Sequence, residues 1–294
     1  MLGANLVDAV EKQHHSLVAL SHNHSLNRPG IDQICADLRV EETVDRLLQS
    51  LQPAWIIHCA ALTNVDQCED DPDEAWRVNV EMTRHLAAAA CRVRARMIYI
   101  STDSVFDGET GQYCEDDTPG PLNVYAKSKL AGESVVHEEL KESLIIRTNI
   151  FGWNARDKLS LAEWILGRLE ASQTINAFVD VIFSPILVND LSRIILDMLK
   201  RELSGLYHVA GSEVCSKYEF AVHLANVFGL DERLVLPASV ASSELKAPRP
   251  RNTSLQTTRI CRALSESMPD VHSGLQRFKA LRDSGYVKEL KALS

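Results

Sequence analysis

Three residues, Thr102, Tyr125 and Lys129, could together carry out a proton transfer to a carbonyl group. Thr102 ends an apolar run typical of a strand, and Tyr125 and Lys129 lie four positions apart in a helical pattern that opens near Asn123. Residues with this spacing share one face of a helix, where the ammonium would stabilise the tyrosinate and lower the pKa of the tyrosine. A general acid requires such a shift. The alternative is a Tyr–Lys pair on a helix surface, but open α/β sheets bind ligands at strand carboxyl ends, and Thr102 lies at one.

The elements that must position these residues alternate along the first half of the chain. Apolar runs predict strands at 16–20, 55–60, 97–102 and 143–148, and helical patterns cover 41–51, 72–94 and 124–141. Near-continuous apolar strands that alternate with helices indicate right-handed βαβ units and a parallel sheet covered on both faces. The sequence therefore predicts an α/β fold with a doubly wound, Rossmann-like parallel sheet.

After Gly152 the alternation lapses. Helical patterns cover 159–171, 187–202 and 216–228, and a strand is predicted at 205–210. We expect a dinucleotide-binding domain over 1–152 and a smaller substrate-binding lobe over 153–294, interleaved with the main sheet.

Composition excludes several functional classes. With 31 basic and 40 acidic residues the net charge is −9, which argues against a nucleic-acid binder. No apolar run reaches membrane-spanning length and no signal peptide is recognisable, so a cytoplasmic protein is expected. The seven cysteines have no C-x-x-C spacing and the histidines no ligand pattern, so no metal is predicted. An acidic cluster at 66–74 could be a metal site, but charge at a helix N-terminus is the favoured interpretation.

Two segments carry a resemblance to a known family. They are STDSVFDG at 101–108 and PLNVYAKSKLAGE at 121–133, and they resemble the dTDP-4-dehydrorhamnose reductase family of extended short-chain dehydrogenases. Further matching segments are HCAALTNVD at 58–66, VNV at 78–80, RTNIFG at 147–152 and RPRN at 249–252. The resemblance spans nearly the whole chain. It implies an oxidoreductase of carbohydrate biosynthesis that binds a nicotinamide cofactor and a nucleotide sugar. A homodimer is one candidate assembly, and the sequence leaves the oligomeric state open.

The resemblance also implies roles for individual residues. Tyr125 would protonate the 4-keto oxygen of a nucleotide-linked 6-deoxy sugar, Lys129 would tune Tyr125 and hold the nicotinamide ribose, and Thr102 would orient the carbonyl. The residues expected to contact the substrate are Ser101, Thr102, Asp103, Asn149, Arg249 and Arg251. The two arginine forks could bind a substrate diphosphate, and a solvated pair of loop charges is the alternative.

The cofactor side departs from the family at the N-terminus. Relatives open with a strand and a G-x-x-G-x-x-G turn that holds the pyrophosphate, whereas this chain begins Met1-Leu2-Gly3. Gly3 resembles the last glycine, so we expect a sequence that lacks the first strand and most of the loop. That strand would lie in the middle of the sheet, and its absence would leave two neighbouring strands unpaired.

The remaining cofactor contacts are also implied by the resemblance. They are Asp37 and Leu38 near the adenine and the small residues Cys59, Ala60 and Ala61 at the sheet edge, with Tyr125 and Lys129. In this fold the residue after the second strand, which corresponds to the predicted strand 16–20 of this chain, would contact the adenosine ribose. An acidic residue at that position favours NAD. Ser21, His22 and Asn23 occupy this place, so NADP(H) is preferred over NAD(H).

The segment after Thr102 bears on the type of reaction. It lacks the Glu with which related dehydratases act on the sugar ring, so reduction is favoured over dehydration. Ser104 stands where the reductases commonly have Tyr, which leaves the sugar open. A second hypothesis is a non-catalytic binding subunit, because the regulatory β subunit of methionine adenosyltransferase is similar to the same family, including the R-P-R-N segment. The complete Thr–Tyr–Lys set argues against it.

Overall fold

A computed structural model describes residues 1–13, 15–23, 28, 30–242 and 245–292. The strands are Val18–Ser21 (β1), Asp32–Cys35 (β2), Trp55–His58 (β3), Arg96–Ile100 (β4), Leu144–Arg147 (β5), Ile150–Phe151 (β6), Ile175–Phe178 (β7), Ile182–Phe183 (β8), Ile186–Leu187 (β9), Gly205–His208 (β10), Cys215–Ser216 (β11) and Val235–Ala238 (β12). The α-helices are Leu2–Glu11 (α1), Glu41–Leu51 (α2), Val65–Asp70 (α3), Pro72–Trp76 (α4), Met82–Val93 (α5), Val124–Glu139 (α6), Leu161–Glu170 (α7), Val188–Lys200 (α8), Lys217–Phe228 (α9), Thr258–Leu264 (α10), Val271–Asp283 (α11) and Tyr286–Ala292 (α12). None of the helices in these ranges is both long enough and apolar enough to cross a membrane.

The central sheet is parallel and has the strand order β10-β5-β4-β3, and β1 pairs with β2 in a second parallel sheet. The predicted α/β fold with parallel strands is therefore confirmed. In the described part of the chain, β1 and β3 are not paired with each other, and β3 has no strand on its outer edge.

Helices cover both faces of the sheet. Successive side chains of a strand point to opposite faces, and in β4 Met97 and Tyr99 pack against α2, α5 and α6, whereas Ile98 packs against α1 and α8. Tyr99 thereby lies directly under α6. Gly132 in α6 permits this approach, since a Cβ there would collide with the Tyr99 hydroxyl and lie 2.9 Å from the carbonyl oxygen of Asn79. The close contact fixes the height of α6 above the sheet.

The helix predicted at 72–94 is not continuous. Between α4 and α5 a π-helical turn spans Arg77–Glu81. Inside it the buried Asn79 side chain accepts a hydrogen bond from Leu62 N (2.8 Å) and donates to Leu62 O (3.1 Å) and Ser128 Oγ (2.9 Å). Apolar periodicity contains no information about such side-chain hydrogen bonds. For this reason the sequence pattern predicted a continuous helix and missed the turn. The turn holds the loop after β3 against α6.

The second lobe has its own apolar core. Aromatic rings lie at its centre: Trp153 stacks on Phe278 with ring centroids 4.1 Å apart, and Phe151 meets Phe220 edge to face. β10, from this half of the chain, pairs with β5 in the main sheet. The sequence pattern missed β2, the parallel β7–β12 pair and the last three helices. The boundary at 152 stays a prediction.

Candidate active site

The carboxyl end of β4 and the start of α6 bring Thr102 and Tyr125 together. The Asn123 side chain caps α6 by accepting a hydrogen bond from Ala126 N (2.9 Å), which places Tyr125 in the first turn. The Thr102 hydroxyl lies close enough to the Tyr125 hydroxyl to lower the pKa of the phenol. This proximity was predicted from the sequence, and the catalytic roles stay a prediction.

The pKa of Tyr125 is shifted in the direction opposite to the expected one. Burial raises it beyond the usual range of a tyrosine, Asp103 and Cys68 add to the rise, and the neighbouring Thr102 hydroxyl opposes it. Lys129 is not among the groups that shift this pKa. The expectation that the ammonium lowers the pKa of Tyr125 is therefore wrong for this structure, because burial of the phenol outweighs any charge nearby.

Lys129 lies one turn further along α6, facing the carboxyl end of β3. The residue is 3% exposed, and its Nζ lies 3.9 Å from the centroid of the Tyr99 ring. Burial lowers its pKa to about 7, although Glu133 and Cys59 act in the opposite direction. Within the described residues, no side chain or carbonyl accepts a hydrogen bond from this ammonium. Lys129 can therefore donate to a ligand.

Asp103 is held by several hydrogen bonds beside Thr102. The residue is 1% exposed, and its carboxylate accepts hydrogen bonds from Asn149 Nδ2 (2.8 Å) and Thr253 Oγ1 (2.5 Å). The hydroxyls of Thr102 and Ser104 also donate to it, at 3.1 and 3.3 Å. The carboxylate is thus a fixed negative charge that ties β4, β5 and the 249–253 segment together. Asp103 and Asn149 were predicted as substrate contacts, and their mutual bond makes them part of the frame of the site.

A buried ion pair joins α6 to β5 next to the candidate site. Arg147 donates to both carboxylate oxygens of Glu133, with an Nη2–Oε2 distance of 2.7 Å, and the Ser101 hydroxyl donates to the same carboxylate. Ser101, predicted as a substrate contact, is therefore directed into the protein. Removing one partner of such a pair would leave the other charge buried and unpaired, at a cost of about 3–5 kcal/mol.

The predicted cofactor residues after β3 line an open edge. Ala60 is exposed and Cys59 and Ala61 are half-buried, and the loop that contains them is fixed through the bonds of Asn79 to Leu62. A Cβ on Gly3 would lie 3.9 Å from the Cβ of Cys59, an ordinary contact, so packing within the protein does not require a glycine. The structure thus gathers Gly3, Cys59 and Lys129 at one end of the sheet.

A second predicted cofactor segment follows β2. Asp37 accepts hydrogen bonds from Arg39 Nε (2.9 Å) and Arg39 Nη2 (2.8 Å), which lower its pKa to about 2. The ring of His22, just after β1, lies 3.5 Å from the Arg39 guanidinium, and Leu38 packs against the core under α2 and α5. Asp37 is therefore already paired with a cation of its own chain.

The RmlD substrate binding domain family matches residues 1–282 of the chain. The chain belongs to this family. A probable low-salt glycan biosynthesis reductase of Haloferax volcanii is 32% identical over 95% of this chain and 94% of that protein. The methionine adenosyltransferase 2 subunit beta of Bos taurus is 32% identical over 79% of this chain and 71% of that protein. The dTDP-4-dehydrorhamnose reductase of Bacillus anthracis, solved in complex with NADP, matches with a TM-score of 0.81 and 31% identity over 90% of this chain and 98% of that chain.

Membership in the RmlD family confirms the resemblance that the sequence segments carry. The 249–252 segment is one of these segments, but its two arginines do not bind a common partner in this structure. Arg249 Nη2 binds Asp66 (3.0 Å), and Arg251 is exposed while its carbonyl accepts a hydrogen bond from Ile182 N (2.7 Å). Diphosphate binding by the two arginines stays a prediction.

The acidic cluster has mixed roles in this RmlD-family chain. Asp71 caps α4 by accepting a hydrogen bond from Glu74 N (3.0 Å), as the helix-charge interpretation expects. Asp66 and Asp70 instead bind the 246–249 segment, through Arg249 and Lys246. Their carboxylates therefore fasten that segment to α3.

Three residues at the site were missed by reasoning from sequence. Thr253 binds Asp103, Arg39 lies beside Asp37 and His22, and Lys217 lies in the electrostatic field of Asp103. Arg39 lies only two positions after Asp37, so its place near the predicted adenine contacts could have been predicted from the sequence. No sequence pattern links Lys217 or Thr253 to Asp103, because both come from the other half of the chain.

Proposed function

We propose that the protein reduces the 4-keto group of a nucleotide-linked 6-deoxy sugar with NADPH. The observation that carries the proposal is the proximity of the Thr102 and Tyr125 hydroxyls at the carboxyl end of β4, where a parallel sheet presents its ligands. The oxidoreductase relatives support it, since the RmlD family includes dTDP-4-dehydrorhamnose reductases.

The residues present fit a nicotinamide cofactor. Lys129 is a nearly buried ammonium with no hydrogen-bond acceptor in the described part of the chain, and ribose hydroxyls would supply one. The exposed Ala60 and half-buried Ala61 leave room for a flat ligand against the sheet edge. Gly3, Cys59 and Lys129 would then line the same cofactor, with Asp37 and Leu38 toward its adenine end.

When bound, NADPH would supply the hydride for the carbonyl carbon. Tyr125 would donate its proton to the carbonyl oxygen, so that the C=O group becomes CH–OH and Tyr125 becomes a tyrosinate. The raised pKa leaves the phenol protonated at neutral pH but makes it a weaker acid, so proton transfer depends on the negative charge that develops on the carbonyl oxygen. Asp103 accepts a hydrogen bond from the Thr102 hydroxyl and so fixes its position beside Tyr125.

The preference for NADPH over NADH would rest on His22 and Arg39. Both are basic and lie together at the carboxyl ends of β1 and β2, where the adenosine ribose binds in this fold. A 2′-phosphate can accept hydrogen bonds from the guanidinium. Arg39→Ala should therefore raise the KM for NADPH by about 10-fold or more, while the KM for NADH stays within a factor of two. Equal effects on both cofactors would contradict this assignment.

The test of the proposed function uses dTDP-4-keto-6-deoxyglucose and NADPH, followed through the loss of NADPH absorbance. Wild-type protein should turn over, and Tyr125→Phe should lose about 10²-fold or more in kcat with an unchanged Tm. Tyr218→Phe, a matched change on the half-buried face of α9, should retain wild-type turnover. Absence of turnover by the wild type, or wild-type kcat in Tyr125→Phe, would refute the proposal.

A second candidate function is regulation through binding. The similarity to methionine adenosyltransferase 2 subunit beta supports it, at the same 32% identity as the glycan reductase. Co-purification with a methionine adenosyltransferase catalytic subunit, together with no NADPH oxidation on any 4-keto sugar nucleotide, would favour this function. Turnover without such binding would favour the reductase.

A further inference from the structure

Lys217 is the first residue of α9 and projects from the second lobe toward the carboxyl end of the main sheet. Ser216 and Glu219 form a capping box that fixes the start of the helix, with Glu219 N donating to Ser216 Oγ (3.1 Å). The backbone N of Lys217 donates to Val181 O (2.9 Å). The capping box and this bond fix the backbone of Lys217. They do not involve its side chain.

The ammonium of Lys217 has no hydrogen-bond acceptor within the described residues. Its Nζ lies 3.2 Å from the centroid of the buried Phe183 ring and within the field of Asp103, with which it forms no ion pair within 4.0 Å. Burial lowers its pKa to about 8, and Asp103 and Cys215 oppose the shift. The side chain is thus still charged at neutral pH. The residue is only half-buried, so the ammonium stays accessible to a ligand that could supply the acceptor it lacks in the described part of the protein.

A short chain of hydrogen bonds joins Lys217 to the candidate site. β8 lies beside it, and Thr253 N donates to the carbonyl of Ile182 in that strand (3.0 Å). The Thr253 hydroxyl donates to Asp103, next to Thr102. Ile182 also binds the carbonyl of Arg251. Lys217, Asp103 and the 249–253 segment therefore lie close together around β8.

We propose that Lys217 is a substrate-specificity residue whose ammonium binds an anionic oxygen group of the nucleotide sugar. The inference rests on the proposed function and deepens it. The donor set fits such a group, because a charged ammonium on an aromatic ring accommodates phosphate or carboxylate oxygens through its free N–H bonds. Asp103 repels the same anion and so confines it to the Lys217 side. The anion is either the diphosphate of the nucleotide or a carboxylate on the sugar.

Direct binding measurements test the assignment without requiring turnover. The affinities of wild type, Lys217→Met and Lys217→Arg for dTDP and for UDP-glucuronate would be measured by calorimetry. Lys217→Met should bind at least one of the two about 10-fold or more weakly and lose part of the salt dependence of binding, because a charge has been removed. Lys217→Arg should retain most of the affinity. Affinity for NADPH and Tm should not change in either variant.

The outcomes separate the possible anions and the two proposals. A loss seen with dTDP assigns Lys217 to the diphosphate, and a loss confined to UDP-glucuronate assigns it to a carboxylate. Wild-type affinity of Lys217→Met for both ligands would overturn the inference while leaving the reductase proposal standing. If wild-type protein binds neither nucleotide, the proposed function fails, and this inference fails with it.

Discussion

The affinity of the protein for NADPH should fall as the pH rises above 7, because Lys129 then loses its charge. Burial lowers the pKa of this ammonium to about 7. The charged fraction is then roughly half at pH 7, about 9% at pH 8 and about 1% at pH 9. The neutral amine still donates hydrogen bonds, but without the charge that strengthens them.

The size of the effect follows from the single bond that Lys129 would make. If only the charged form bound, the Kd would rise about 50-fold between pH 7 and 9. A hydrogen bond that involves a charged group contributes about 1.5–3 kcal/mol, which limits the loss to roughly 10- to 100-fold. The titration and the strength of the hydrogen bond thus allow the same range, and the Kd for NADPH is expected to rise about 10- to 50-fold between pH 7 and 9.

The assay is a fluorescence titration of NADPH at pH 7, 8 and 9 and at constant ionic strength. Lys129→Met should bind weakly at pH 7 and show little further loss at pH 9. Lys127→Met is the matched control, because this exposed lysine lies two positions earlier on α6 and its variant should follow the wild-type curve. A wild-type Kd that stays constant from pH 7 to 9, or a Lys129→Met variant with the wild-type slope, would refute the reasoning.

Two further variants test the frame of the site. Thr253→Val removes a 2.5 Å hydrogen bond to the buried Asp103 carboxylate and should lower the free energy of unfolding by about 1.5–3 kcal/mol in urea denaturation, whereas Thr253→Ser should cost less than half of this. A loss equal in the two variants would contradict the role of the hydroxyl. Gly132→Ala forces a Cβ against Tyr99 and should cost about 1–3 kcal/mol, while Gly167→Ala, in a helix position with open space around the new Cβ, should be neutral or stabilising by up to about 1 kcal/mol. A Gly132→Ala variant as stable as wild type would show that α6 is not held at the height described.

Much of the first half of the chain follows from local pattern. Apolar runs and helical periodicity predicted β3, β4, β5 and α6, since a parallel sheet buried on both faces requires such runs. The spacing of Tyr125 and Lys129 likewise placed them on one helix, and the position of Thr102 at a strand end predicted its contact with Tyr125. These are consequences of residues close in sequence.

The surroundings of those residues were decided by the tertiary structure. The pKa of Tyr125 is raised because the folded protein buries the phenol, and neither burial nor the position of the Lys129 ammonium over Tyr99 can be derived from spacing alone. Thr253 and Lys217 reach Asp103 from more than a hundred positions away. The sequence by itself therefore determined which groups could do chemistry. Only the packing of the second lobe against the sheet decided which charges and hydroxyls surround them. Hydrogen bonds and desolvation depend on distances between segments, and local sequence pattern does not contain those distances.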